Sequence, residues 1–186
     1  MANDRTNMVS LLDFGKWMGG TASNILELGD GVTELTEDWA PEMSEVQYVN
    51  MKTKSNTLNG YAFSTTVERE HMSDEAQEFI DDSFRKFPTG KDAETFYYRF
   101  YKTDKTTDGK FKAIKLPVVV APSSTGGSGG ETLVSSLQLT GNGSVVEGTI
   151  TIADGTYTFV EDVSGTGPAT FSARKALTST EKSNLS

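Results

Sequence analysis

Apolar and polar positions alternate with a period of two along most of the chain, the signature of half-buried strands. Met8-Val-Ser-Leu-Leu-Asp-Phe14 reads as a short first strand. From Val46 to Thr53 the alternation is plain, with Gln47, Val49, Met51 and Thr53 against Val46, Tyr48, Asn50 and Lys52. Asn59-Gly60 is a favoured tight-turn dipeptide. Beyond it Tyr61, Phe63, Thr65 and Val67 share a face, so the pattern predicts strand, turn and strand. In Glu94–Thr103, Phe96, Tyr98 and Phe100 oppose Tyr97, Arg99 and Tyr101, which predicts a strand covered on both faces. Asp108-Gly109, Gly141-Asn142-Gly143 and Asp154-Gly155 are hairpin signals. They separate Phe111–Ala121, Thr132–Thr140, Ser144–Ile152 and Thr156–Glu161. A last short strand is expected at Ala169–Ala173, followed by a polar tail at 174–186.

One segment changes period. Ala76, Phe79, Ile80 and Phe84, with Phe87 beyond, recur at helical spacing and form one apolar stripe. Ser73 suits the N-cap, Asp74 and Glu75 meet the positive end of the dipole, and Arg85, Lys86, Pro88 and Gly90 mark the end. The expectation is a mainly β (α+β) fold. Two packed antiparallel sheets would form a sandwich or small barrel with one flanking helix at 74–86 and long loops. A single domain is expected over 1–173, with a long acidic arm or loop at 15–45 and a Gly/Ser-rich loop at 123–131.

Charge is segregated within a formal net of −9. Residues 17–51 carry seven acids and no Lys or Arg; residues 85–115 carry nine bases against four acids; residues 116–173 carry five acids and no base. Unlike patches of this kind favour contact between copies of one chain. The arm residues singled out for such a contact are Trp17, Glu34, Glu37, Asp38 and Trp39, each Trp folding back on its own core being the equal alternative.

Chemistry is hard to find. The chain has no Cys and a single His71, which excludes thiolate catalysis and most histidine metal sites. Gly126–Gly130 lacks the Lys of a phosphate loop and leads into a strand, not a helix. Asp104 and Asp108 before Gly109 fall short of a calcium loop. No catalytic, cofactor-binding or metal-binding residues are assigned, and no enzyme activity or cofactor is expected. No stretch approaches the length of a membrane span, and no signal-like segment opens the chain, so folding in a cytoplasm is expected.

Short motifs then carry a resemblance. Val49-Asn50-Met51-Lys52, Leu58-Asn59-Gly60-Tyr61-Ala62-Phe63, Val67-Glu68-Arg69-Glu70 and the helix from Asp74 to Ile80 come first. Val118-Val119-Val120, Leu137-Gln138-Leu139-Thr140-Gly141-Asn142-Gly143 and Val146-Glu147-Gly148-Thr149-Ile150-Thr151 follow in the same order. Between Val46 and Val160 the sequence resembles the major tail protein (tail tube protein) of long, non-contractile-tailed bacteriophages of Gram-positive hosts. The resemblance implies a virion protein made in the bacterial cytoplasm that assembles into hexameric rings stacked as a tail tube. Double-stranded DNA would pass through without being bound, and tape measure, distal tail and tail terminator proteins would be partners. On that reading the base-free stretch supplies lumen acids: Glu131, Glu147, Asp154, Glu161 and Asp162. A baseplate or receptor-binding β-sandwich, and a tube subunit of a contractile tail or secretion system, are the competing readings.

Overall fold

Strands cover most of the chain because β-branched and aromatic residues alternate with polar ones between glycine-marked turns. The computed structural model describes residues 4–50 and 52–162. Its strands are β1 (Met8–Asp13), β2 (Ile25–Glu27), β3 (Val32–Val46), β4 (Ser55–Glu70), β5 (Glu94–Lys105), β6 (Phe111–Gly126), β7 (Val134–Gly141), β8 (Val146–Ala153) and β9 (Thr156–Glu161). The single α-helix among the described residues, α1, spans Glu75–Lys86. The fold is mainly β with one flanking helix, as the pattern predicts.

All nine strands belong to one antiparallel network, ordered β2-β1-β5-β6-β7-β4-β3, with β8 and β9 branching from β6. The branch lies at Pro117. One flank of β6 pairs with β5. The other pairs with β8 along Phe111–Lys115 and with β7 along Val118–Gly126. Gly141-Asn142-Gly143 is therefore not a hairpin turn. It carries the chain from β7 to β8, and the Pro117 carbonyl accepts from the Asn142 N–H at 2.8 Å.

The expected two layers are halves of this network, with β1 and β5 buried on both faces. On one face Leu12 and Tyr97 pack against Leu35, Phe63 and Val67 from β3 and β4, and against Ile80 of α1. On the other, Val9, Leu11, Tyr98 and Phe100 pack against Ile150, Tyr157 and Phe159.

Helix α1 is capped by Asp74, whose carboxylate accepts from the Gln77 N–H at 3.0 Å; Ser73, the expected cap, precedes it. Ala76 and Ile80 are buried, with Phe79 and Phe84 packed beside them. Phe87 leaves the stripe, because it ends the helix in the left-handed conformation and is exposed.

Two expectations are corrected. Residues 15–45 are not a loop: they hold β2 and β3. The hairpin also turns beyond the Val46/Ser55 pair and not at Asn59-Gly60, so the strand expected over Val46–Thr53 is not found: 47–50 and 52–54 lie between β3 and β4. β4 runs straight through Asn59-Gly60, where Glu42 pairs with Gly60 and Met43 with Leu58. Asn59 is left as the extra residue of a bulge, which Ser44 Oγ bonds at 3.3 Å. At the Gly/Ser-rich segment β6 continues to Gly126, with a bulge between Pro122 and Ser124. The expected strand at 169–173 and the tail at 174–186 lie outside the described residues.

Candidate functional site

Three surfaces stand out: an acidic sheet face, an apolar hairpin and a lysine-rich tip. The first follows from register. Glu34, Thr36 and Asp38 of β3 lie opposite Glu68, Thr66 and Ser64 of β4, and those lie opposite Ser136, Gln138 and Thr140 of β7. On β1, β5 and the first half of β6 the corresponding face is covered by β8 and β9. Here nothing covers it among the described residues, and a shallow depression of about 410 Å³ runs along Glu34, Asp38, Glu68 and Gln138. β3 and β7 contain no Lys or Arg, and the one base of β4, Arg69, is buried on the inner side. Glu34 directly opposite Glu68 is a like-charge pair that costs stability in the isolated chain. Sequence reading assigned Glu34 and Asp38 to an arm and passed over Glu68. The signal was present in the Glu-x-Thr-x-Asp alternation of 34–38, had residues 32–46 been recognised as a strand.

The second surface continues the core outward. Trp39 packs on Phe63 with ring centroids 4.7 Å apart. The same face proceeds along the β3–β4 hairpin as the pairs Pro41/Tyr61 and Met43/Leu58. β7 meets β4 only from Ser64 onward, so the distal hairpin lacks a supporting strand. Met43 and Tyr61 are each 61% exposed and Leu58 45%. Apolar residues rarely continue in register along an unsupported ribbon unless something covers them. Met72 and Leu133, also exposed, lie beyond the opposite end of β4.

The basic stretch divides in two. Arg99 bonds Glu37 at 2.6 Å within the same chain. Glu37 also accepts from the Tyr97 hydroxyl at 2.7 Å and the Trp39 indole at 3.1 Å. Of the predicted arm, then, Glu37 and Trp39 fasten β3 to β5, and Trp17 is buried edge-on against Phe14 at 6.0 Å. Only Glu34 and Asp38 remain exposed. Arg85 and Lys86 are likewise held within the chain by Asp82, and Lys115 by Glu161, with Lys91 in the short turn before β5. Lys102, Lys105, Lys110 and Lys112 form the other part, around the β5–β6 turn.

The predicted lumen acids do not form one group. Glu147, Glu161 and Asp162 sit together, since Gly148 pairs with Glu161 and the Asp162 N–H donates to the Glu147 carbonyl at 3.0 Å. Glu161 is already paired with Lys115 at 3.0 Å. Asp154 is at the other end of the β8–β9 hairpin, where it and Gly155 adopt the positive φ of a two-residue turn. Glu131 lies in the loop after β6.

Among the described residues no group of three or more His, Cys, Asp or Glu could hold a metal, and no helix is long and apolar enough to cross a membrane. His71 faces Asp81, with Nε2 at 3.0 Å and 3.2 Å from the two carboxylate oxygens.

No protein-family model and no curated protein matches the chain. In fold it is similar to a chain of the virion of a native gene transfer agent particle, with a TM-score of 0.55 at 11% identity, covering 77% of this chain and 97% of that one. The same figures hold for a chain in the tail of an empty gene transfer agent particle with C6 symmetry. A chain of the sheath/tube terminator of an extracellular contractile injection system is similar at a TM-score of 0.50 and 8% identity, covering 79% of this chain and 96% of that one.

Proposed function

We propose that this chain is a structural subunit of a virion tail tube, a tail tube protein of the long non-contractile type. Copies associate as hexameric rings that stack around a channel for double-stranded DNA. The observation that carries this reading is the fold shared with a chain of a six-fold symmetric gene transfer agent tail over 97% of that chain's length. The likeness to a contractile injection system terminator keeps a contractile-tail tube subunit as the second reading. Neither role requires catalysis, and tape measure, distal tail and terminator proteins are the expected partners at the ends of such a tube.

The three surfaces divide the work. The uncovered face of β3, β4 and β7 forms the channel wall, where carboxylates without bases repel phosphate and let DNA slide. This reading sets the lumen at Glu34, Asp38 and Glu68 instead of at the acids of 116–173. The distal edge of β3 pairs with a neighbouring copy, which removes an edge that would otherwise invite aggregation. The hairpin stripe reaches the Met72/Leu133 end of a subunit in the next ring. A contact between unlike surfaces of identical chains that runs along the axis repeats from ring to ring without closing, so it propagates a tube. The lysines of the β5–β6 turn meet acids of an adjacent copy.

Electron microscopy of the concentrated protein tests this reading: hollow tubes or rings are expected, and a stable monomer with glycan affinity would favour the binding-module alternative. Two variants separate the surfaces. Met43→Asp with Leu58→Asp should leave an intact fold, because both side chains lie outside the core, yet abolish stacking; unchanged tube length by microscopy would refute that role. Glu34→Lys, Asp38→Lys and Glu68→Lys together should convert a tube that ignores DNA into one that retains it. Salt-dependent DNA binding in a filter or gel assay is the readout, and no binding by assembled variant tubes would contradict the lumen assignment.

A further inference from the structure

The end of α1 carries two costs at one residue. Phe87 stops the helix in the left-handed region, φ 46° and ψ 66°, where glycine is the usual occupant because a Cβ crowds the following carbonyl. It is also 62% exposed. The other non-glycine residues at positive φ have a reason within the chain, Asp154 in the β8–β9 turn and Met18 against the core. Phe87 has neither, and backbone strain held at a solvent-facing aromatic points to a role outside the subunit. The outward side of the same helix is ordered by charge. Glu75, Glu78, Asp82 and Arg85 recur every three or four residues, away from the buried Ala76, Ile80 and Ser83. Acids hold the first part of this stripe, and Arg85 with Lys86 end it. A groove of about 340 Å³ opens among Glu78, Phe79, Asp81, Asp82 and Arg85, with Phe79 as its only aromatic wall. Gln77 Nε2 and His71 Nε2, each at 3.0 Å, fix Asp81 in place there.

We infer that α1 docks on a second copy of itself: two helices pair antiparallel about a two-fold axis, each setting Phe87 into the groove of the other. Charge complementarity selects this occupant, because reversal lays the basic end of one helix along the acidic part of its mate. With Phe87 level with the turn of Phe79 and Ile80, Arg85 falls opposite Asp82 and Lys86 opposite Asp81, and the two-fold repeats both pairs. The bonds that Arg85 and Lys86 make to Asp82 of their own chain, at 3.2 Å and 3.1 Å, do not compete. They are exposed and weak, and a carboxylate accepts more than one donor. A contact confined to 78–87 on each side is at the small end of specific interfaces, so the pair forms and parts readily. α1 packs on the core side of β3 and β4, through Ile80 with Leu35 and Val67, so pairing leaves the acidic face untouched. Two-fold mates point in opposite directions, whereas stacked rings need one polarity. Where the chain builds tubes, as proposed above, the pair is therefore a reserve that must part first.

Sedimentation velocity of the full chain before assembly tests the pairing independently of whether tubes form. A monomer–dimer equilibrium that weakens with salt is expected. Phe87→Gly relieves the left-handed backbone and removes the anchor, so it should weaken the dimer by about tenfold or more without harming the fold. Asp82→Arg alone and Arg85→Asp alone should each be monomeric, since like charges then face each other across the axis. An equimolar mixture of these two variants should dimerise again, because each supplies the charge that the other lacks; a role within one chain cannot be rescued by mixing. A parent chain that stays monomeric, a dimer indifferent to Phe87→Gly, or a mixture no more associated than its components would overturn the inference.

Discussion

Glu37→Ala is expected to destabilise the protein by about 3 kcal/mol or more, because it removes the acceptor at the centre of a buried network. The Glu37 side chain is 6% exposed and takes hydrogen bonds from Arg99, the Tyr97 hydroxyl and the Trp39 indole. Its loss leaves the Arg99 cation and the Trp39 indole without their acceptor between β3 and β5, and the Tyr97 hydroxyl with Ser10 Oγ alone at 3.0 Å. Glu37→Gln keeps the shape and one acceptor oxygen, so it should fall between the two. The midpoint of urea unfolding measures both, and an alanine variant within about 1 kcal/mol of the parent would mean that the layers are held by apolar packing alone.

Tyr97 of this network and two phenols of the other core cluster set a response to alkali. Burial, then the Glu37 charge, pushes the Tyr97 phenol well above its ordinary range. Burial raises Tyr98 also, and burial with the hydrogen bond to Glu27 lifts Tyr157 to about 12. A raised phenol keeps its proton in the folded chain where the unfolded chain releases it. Stability is therefore complete below about pH 10, the unfolded value, and falls as pH climbs through 12.

The second large effect is expected at Arg69, which is 1% exposed. Its guanidinium donates to the Asp30 carbonyl at 2.8 Å, to Gln77 Oε1 at 3.0 Å and to the Asp74 carboxylate. One side chain thus ties the β2–β3 turn and the cap of α1 to β4. Arg69→Ala should cost about 3–5 kcal/mol, and Arg69→Lys should recover little, since an ammonium cannot reproduce a planar fork toward three acceptors. Burial pushes the Asp74 carboxyl up, but its bonds to Arg69 and the Gln77 N–H outweigh that and hold it below the usual range. Its contribution is present above the unfolded carboxylate value and is lost as pH falls through the lowered one. Acid titration of the parent against Asp74→Asn, followed by near-ultraviolet circular dichroism, checks that direction; identical acid profiles would contradict it.

The strands with two buried faces were legible because aromatic residues occupy both alternating sets in β5. The helix was legible because its stripe returns every three or four residues. What misled was local preference. Asn59-Gly60 favours a turn in isolation, but Trp39 on Phe63 and the apolar pairs beyond them align β3 with β4 in a register that admits Asn59 only as a bulge. Once that turn was misplaced, β3 became a loop, and its outward acids became an arm instead of a sheet face. Charge segregation was read correctly from composition, yet the Glu37–Arg99 pair lies within one chain, which no count of charges reveals. The acidic face joins residues about 100 positions apart, from Glu34 to Gln138, and only strand pairing brings those together.

The central claim is that the uncovered face of β3, β4 and β7 lines a channel. A helical reconstruction of assembled tubes by cryo-electron microscopy tests it most directly. The account predicts six-fold rings whose inner wall carries Glu34, Asp38, Glu68 and Gln138, with the β5–β6 lysines away from the channel. A channel wall formed by Lys102, Lys105, Lys110 and Lys112, or by the surface of β8 and β9, would contradict it.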